Sequence, residues 1–123
     1  MNEEDAAREI VDAAIAVHRE LGPGLLESAY EQCLAFGLIR RGLKVERQKV
    51  LPVIYQELRI DAGYPLDLLV QDRVVVELKS VEKLESIHEA QVLTYLKLSR
   101  CRIGLLLNFN VRLLKDGIRR LVL

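Results

Sequence analysis

The stretch Pro65-Leu66-Asp67-Leu68-Leu69-Val70-Gln71-Asp72-Arg73-Val74-Val75-Val76-Glu77-Leu78-Lys79 decides how this chain is read. Two runs of β-favouring apolar residues flank a short polar turn, the pattern of a hairpin. Each run contains one carboxylate. Asp67 sits between Leu66 and Leu68, and Glu77 follows three valines. A carboxylate inside an apolar strand is costly to bury unless it is paired or holds a cation. Lys79 lies two residues beyond Glu77, so in an extended strand both project from one face while Leu78 points into the core.

Whether Asp67 joins them depends on the length of the turn. A two-residue Gln71-Asp72 loop would put Asp67 opposite Val76, on the other face from Glu77. A three-residue Gln71-Asp72-Arg73 loop would put Asp67 opposite Glu77 and Leu69 opposite Val75. A joint site thus requires an odd loop or a bulge, although Arg73 is not the glycine usually preferred at the third loop position. Acid-x-Lys alone is weak, since about one such triplet is expected by chance in a chain with this composition. Two carboxylates on one face, with the Leu78 carbonyl, are hard oxygen ligands for Mg²⁺ or Mn²⁺. The competing reading of the same residues is a Glu77–Lys79 or Asp67–Lys79 ion pair at a sheet rim.

Upstream of the hairpin the period is helical. Ala7, Ile10, Val11, Ala14, Val17, His18 and Leu21 form one apolar stripe. Gly22-Pro23-Gly24 ends it, and a second helix is expected from about Leu25 to Arg40, burying Leu26, Ala29, Tyr30, Cys33 and Leu34. Alternating segments at Val45–Val50, Val53–Tyr55 and Leu58–Ile60 read with the hairpin as an antiparallel β-meander. Ser86-Ile87-His88-Glu89 has capping-box spacing and opens a helix to about Arg100. Ile103–Leu107 is an apolar run expected of a strand covered on both faces, and a short last strand spans Ile118–Val122. The expected class is α+β, sandwich-like: two N-terminal helices, the meander, a helix and a further strand, in one domain over residues 1–123. On the helices, Glu27 with Tyr30, and His88 with Gln91 and Tyr95, share faces that could complete a site. Each also has a plainer reading: a solvated acid, a histidine satisfying a helix end, half-buried core tyrosines.

Composition narrows the function. The chain has 123 residues, half of them hydrophobic, and a formal net charge of zero. This size excludes an α/β barrel or a full dinucleotide-binding enzyme, and no apolar run is long enough to span a bilayer. The acidic start, Met1-Asn2-Glu3-Glu4-Asp5, is unlike a secretory signal, so a cytoplasmic location is expected. Cys33 and Cys101 have no partners at ligand spacing and read as small core residues. Charge is uneven: residues 1–62 carry 8 basic and 11 acidic side chains, the remainder 10 and 7. Near the end, Lys97, Arg100, Arg102, Arg112, Lys115, Arg119 and Arg120 face only Asp116 in the sequence, a cluster able to follow a phosphate backbone or simply to be solvated.

Gly24-Leu25-Leu26-Glu27-Ser28-Ala29-Tyr30 resembles the G-x-x-E-x-x-Y signature of a family of small prokaryotic proteins named for it. Gly63-Tyr64, Asp67–Val70, Val76-Glu77-Leu78-Lys79, His88-Glu89-Ala90-Gln91 with Tyr95, and Asn108-Phe109-Asn110 extend the resemblance over nearly the whole chain. That family belongs to the PD-(D/E)xK nuclease superfamily, and the resemblance implies a restriction-endonuclease-like core. It implies metal-dependent cleavage of DNA or RNA, with Mg²⁺ or Mn²⁺ held by Glu27, Asp67, Glu77 and the Leu78 carbonyl. Lys79 would activate water, Gln91 would position the site or the scissile phosphate, and Tyr30, His88 and Tyr95 would support it. Pro65 stands where the family usually carries a basic residue. The alternative is a nuclease fold without the reaction, a module binding nucleic acid or protein. A homodimer is an arrangement that so small a chain allows.

Overall fold

The computed structural model describes residues 1–61 and 63–123. Helices α1 (Glu3–Leu21) and α2 (Glu27–Arg40) come first, followed by β1 (Val45–Val50), β2 (Val53–Tyr55), β3 (Leu58–Ile60), β4 (Pro65–Val70) and β5 (Val74–Lys79). Helix α3 (Ser86–Ser99), β6 (Ile103–Asn108), a 3₁₀ turn at Leu114–Gly117 and β7 (Ile118–Val122) complete the order. The main sheet runs β1-β4-β5-β6-β7. It is mixed, because β5 and β6 pair in parallel across α3 while the other neighbours are antiparallel. The fold is the expected α+β, but the meander is interrupted. β2 and β3 pair only with each other, leaving β1 to pair directly with β4. Ile54, Tyr55, Leu58 and Ile60 stay exposed on that hairpin, so it adds little to the core.

The sheet lies between two helical layers. Val74, Val76 and Leu78 of β5 pack with α1 and α2, whereas Val75 packs with Val92, Tyr95 and Leu96 of α3. Every residue of β6 is buried, because both faces of this strand are covered. Gly104 suits this position: a Cβ there would stand 2.5 Å from a Val92 methyl. Two sequence expectations shift slightly. Leu26 is 77% exposed as the residue before α2 rather than on its buried side. Cys33 is half-buried and Cys101 buried, and both are free thiols.

The joint between α1 and α2 is the most tightly specified local structure. Gly22 and Gly24 have φ values of 68° and 105°, which side-chain-bearing residues rarely adopt. Tyr30, fully buried, donates its hydroxyl to the Gly22 carbonyl (2.5 Å) and accepts from the Leu25 N–H (3.1 Å). Its ring stacks on Phe109 with centroids 4.5 Å apart. The tyrosine therefore latches the turn from which α2 departs. Tyr30→Phe removes both hydrogen bonds and leaves the ring in place; it should cost about 1–3 kcal/mol in urea unfolding. Tyr30→Ala should cost about 3–5 kcal/mol.

Candidate active site

The β4–β5 hairpin adopts the odd register. Val70 pairs with Val74, Leu69 with Val75 and Leu68 with Val76, so the loop is Gln71-Asp72-Arg73. Gln71 and Asp72 supply the positive φ values of the turn, and the Arg73 N–H closes it on the Val70 carbonyl. Continuing this register sets Asp67 across from Glu77. There the backbone ladder stops, and side chains take its place. The Asp67 N–H donates to Glu77 Oε2 (2.6 Å), and the Leu78 N–H donates to Asp67 Oδ2 (2.9 Å). The strands part at the two carboxylates, and each acid satisfies a backbone donor that the other strand would have bonded.

A kink in β1 and β4 accompanies this parting. Arg47 pairs with Leu68 and Lys49 with Leu66, but Gln48 and Asp67 between them do not pair. Gln48 has φ 51°, in the left-handed region. Beyond the kink Leu66 joins Leu69 on the α3 side, three residues away rather than two. Gln48 Nε2 reaches two acids, Asp67 Oδ1 (3.1 Å) and Glu31 of α2. Glu31 is buried and pairs with the Arg47 guanidinium, 3.0 Å from Nη2.

Electrostatics follow from this crowding. Glu77 is 5% exposed, and its pKa is pushed up to about 8, first by burial and then by the neighbouring Asp67 charge. Burial also raises Asp67, against the pull of its bonds from Leu78 and Gln48. Tyr95 is raised to about 12 by burial and by the Glu77 and Asp67 charges, so its hydroxyl keeps its proton. Lys79 acts on both acids as a nearby positive charge. Among the described residues it makes no ion pair within 4 Å, so the rim-pair reading does not describe it.

The remaining candidates divide. Glu27 lies at the start of α2 and accepts from the Ser80 N–H (3.1 Å), just past Lys79, while Ser80 Oγ donates to the Leu25 carbonyl (2.8 Å). Glu27 is thus stitched to the end of β5 instead of being gathered against Asp67 and Glu77. Among the described residues no three His, Cys, Asp or Glu side chains form a ready metal cage. His88 Nδ1 accepts from the Glu85 N–H (2.9 Å), which satisfies the start of α3, and the cap is Glu85 rather than Ser86. Gln91 and Tyr95 line a small cavity with Ile87 of the same helix and with Tyr64. A larger cavity, about 640 Å³, lies between α1 and α2 around Val17, Cys33 and Phe36 and contains none of the site residues.

Several contributors are not visible in the sequence reading. Glu31 and Gln48 look like ordinary surface residues, and only the kink brings them to Asp67. Asn108 is buried; its Oδ1 accepts from the Val81 and Asn110 N–H groups and its Nδ2 donates to the Val81 carbonyl, fixing the loop after Lys79. The basic C-terminal cluster is partly neutralised, since Arg102 pairs with Glu3 and Arg120 with Glu4.

A sequence model of the PD-(D/E)XK nuclease superfamily matches residues 4–121. The chain belongs to that superfamily. No curated protein and no solved structure matches it. Membership suggests a nuclease-like function and implies a nucleic-acid substrate, and nucleases of this superfamily typically use divalent metals. No helix is long and apolar enough to cross a membrane among the described residues.

The raised Glu77 carboxyl has a consequence for stability. Between about pH 4.5, the ordinary carboxyl value, and about pH 8, the folded protein keeps a proton that the unfolded chain has lost. The metal-free protein should therefore lose stability as pH rises through this interval. Glu77→Gln, which imitates the protonated form, should flatten the decline and melt higher than the native protein at pH 8.5. Parallel melting curves against pH would contradict the shift.

Proposed function

We propose that the chain is a divalent-metal-dependent phosphodiesterase acting on DNA or RNA, of the G-x-x-E-x-x-Y branch. The observation that carries this reading is the opposition of Asp67 and Glu77 on parted strands, with Lys79, which has no ion-pair partner among the described residues, on the Glu77 face. Two desolvated carboxylates 10 residues apart in the chain, facing each other, form a place where positive charge is strongly favoured.

The donor set fits Mg²⁺ or Mn²⁺. Such ions commonly bind through one or two carboxylates and keep several waters, so two acids suffice without a closed cage. Asp67, Glu77 and the Leu78 carbonyl would hold the ion. The alternation of the β5 backbone puts that carbonyl on the same side as the Leu78 N–H, toward the gap. When bound, the metal supplies an acidified water and charge stabilisation at a phosphate oxygen. Lys79 would orient an attacking water and offset charge on the phosphate, as a compact ammonium without an ion-pair partner among the described residues can do. Gln91, exposed on α3, would position the substrate beside the metal site. Glu31 borders the pair from α2 through Gln48, whereas Glu27, the acid the signature assigns to the metal, accepts from the Ser80 N–H just past Lys79. Tyr30 supports the site from behind by setting where α2 begins, and His88 by fixing the start of α3.

A second reading is a binding module without the reaction. Pro65, which brings no charge where the family usually has a basic residue, and the pairing of Arg102 and Arg120 with α1 favour it. Calorimetry with Mn²⁺ separates the two. The nuclease reading expects binding, with release of close to one proton at pH 7 because the ion displaces the proton from Glu77. In a cleavage assay on labelled single- and double-stranded oligonucleotides with Mg²⁺ or Mn²⁺, Glu77→Ala and Asp67→Asn should each lower the rate at least about 100-fold. Undiminished cleavage by Glu77→Ala would remove the proposal.

A further inference from the structure

The cavity that Gln91 and Tyr95 line is built differently from a phosphate site. It holds about 260 Å³ and is lined by Tyr64, Ile87, Ala90, Gln91, Thr94 and Tyr95. None of these side chains is charged. Tyr64 is 77% exposed at the mouth, whereas Tyr95 packs into the core with Leu66, Leu69 and Val75. Leu66 precedes Asp67 and Val75 shares the face of Glu77, so Tyr95, packed in one cluster with both, puts the cavity on the acids' side of the sheet. Gly63 sets the position of Tyr64. A Cβ at residue 63 would lie 2.1 Å from the Leu51 carbonyl oxygen, so only glycine lets the chain pass this close before the tyrosine.

Two of the four tyrosines of this aromatic-poor chain, Tyr64 and Tyr95, line this slot. An apolar slot with an exposed aromatic ring and an uncommitted amide suits a flat heteroaromatic group. A planar base can stack on the ring and direct its edge polar atoms to the amide. A phosphate would find no cation there, and it belongs instead at Lys79.

We propose that this slot takes an unpaired nucleobase next to the phosphate placed by Lys79 and by the metal that Asp67 and Glu77 would hold, so that the substrate is single-stranded at the point of attack. The inference rests on the nuclease reading and adds the substrate class to it. Base pairs within a duplex are stacked on both sides and cannot enter such a slot without first being opened. Tyr64 is the stacking platform, Gln91 reads or steadies the base edge, and Ile87 and Tyr95 form the apolar wall.

The test measures binding by fluorescence anisotropy with the full chain in EDTA, so that no cleavage is needed. The probes are 12-nucleotide single strands of DNA and of RNA, and the matching DNA duplex. The native protein should bind at least one of the single strands about tenfold tighter than the duplex. Tyr64→Ala should lose about tenfold in single-strand affinity while Tyr64→Phe keeps it. Moving one abasic nucleotide along the strand should reveal a position that costs the native protein a similar factor and costs Tyr64→Ala nothing further. Equal binding of duplex and single strand, native affinity in Tyr64→Ala, or a flat abasic scan would each overturn the proposal. Because Tyr64 is exposed, its substitution should leave the melting temperature unchanged. Failure of cleavage in Mg²⁺ would count against the nuclease reading alone, since the slot is scored without metal.

Discussion

A carboxylate buried in a β-sheet must find either a proton, a donor or a cation, and this molecule arranges its edge-to-edge strand pairing around two of them. β4 and β5 zip together from the turn as far as Leu68 and Val76, and then separate. In the gap the Asp67 and Glu77 side chains take the backbone donors that the ladder leaves open. Neighbouring features follow from that separation. β1 kinks with β4, Gln48 adopts a left-handed backbone to bridge Glu31 and Asp67, and Leu66 changes sides. The gap is stabilised from outside as well, by Glu27 on the Ser80 N–H and by Asn108 on Val81.

This arrangement separates residues that build the site from those left free to act in it. Tyr30, His88 and Asn108 spend their polar atoms on backbone groups of a turn, a helix start and a loop. The spacing Gly24, Glu27, Tyr30 has a physical meaning in these terms. The glycine permits the turn, the tyrosine latches it, and the glutamate at the first helical turn ties α2 to the end of β5. Lys79 and Gln91, by contrast, have ends that no protein partner claims among the described residues. A site of this kind is pre-formed on its scaffold side and open on its chemical side, as positioning of a reacting group requires.

Much of this was legible in the amino-acid order, because burial imposes period. The two-face burial of Ile103–Leu107, the stripe of α1 and the strand alternation before and after Gln71-Asp72-Arg73 all follow from where apolar residues fall. The odd hairpin loop was legible only as one of two parities, since a turn built on left-handed Gln71 and Asp72 has no glycine to announce it. The interruption of the meander was hidden for a different reason. Val53–Tyr55 and Leu58–Ile60 have the composition of strands, yet nothing local says whether a strand joins the main sheet or pairs alone. Glu31 and Gln48 escaped because their roles depend on a kink shared by two strands distant in the chain. The convergence of Glu27 with the other two acids was expected from the signature, and the helix instead directs it to Ser80. Likewise the basic C-terminal residues looked unopposed in sequence, where the acids of α1 that pair with them lie about a hundred residues away.

The central claim is that Asp67 and Glu77 form a single cation-favouring locus between parted strands. Its most direct test is a crystal of the protein soaked in Mn²⁺, with data collected near the manganese absorption edge. An anomalous peak in contact with both carboxylates and the Leu78 carbonyl is the predicted result. Crystals without such a peak, in which Asp67 and Glu77 keep only their backbone hydrogen bonds at saturating Mn²⁺, would contradict it.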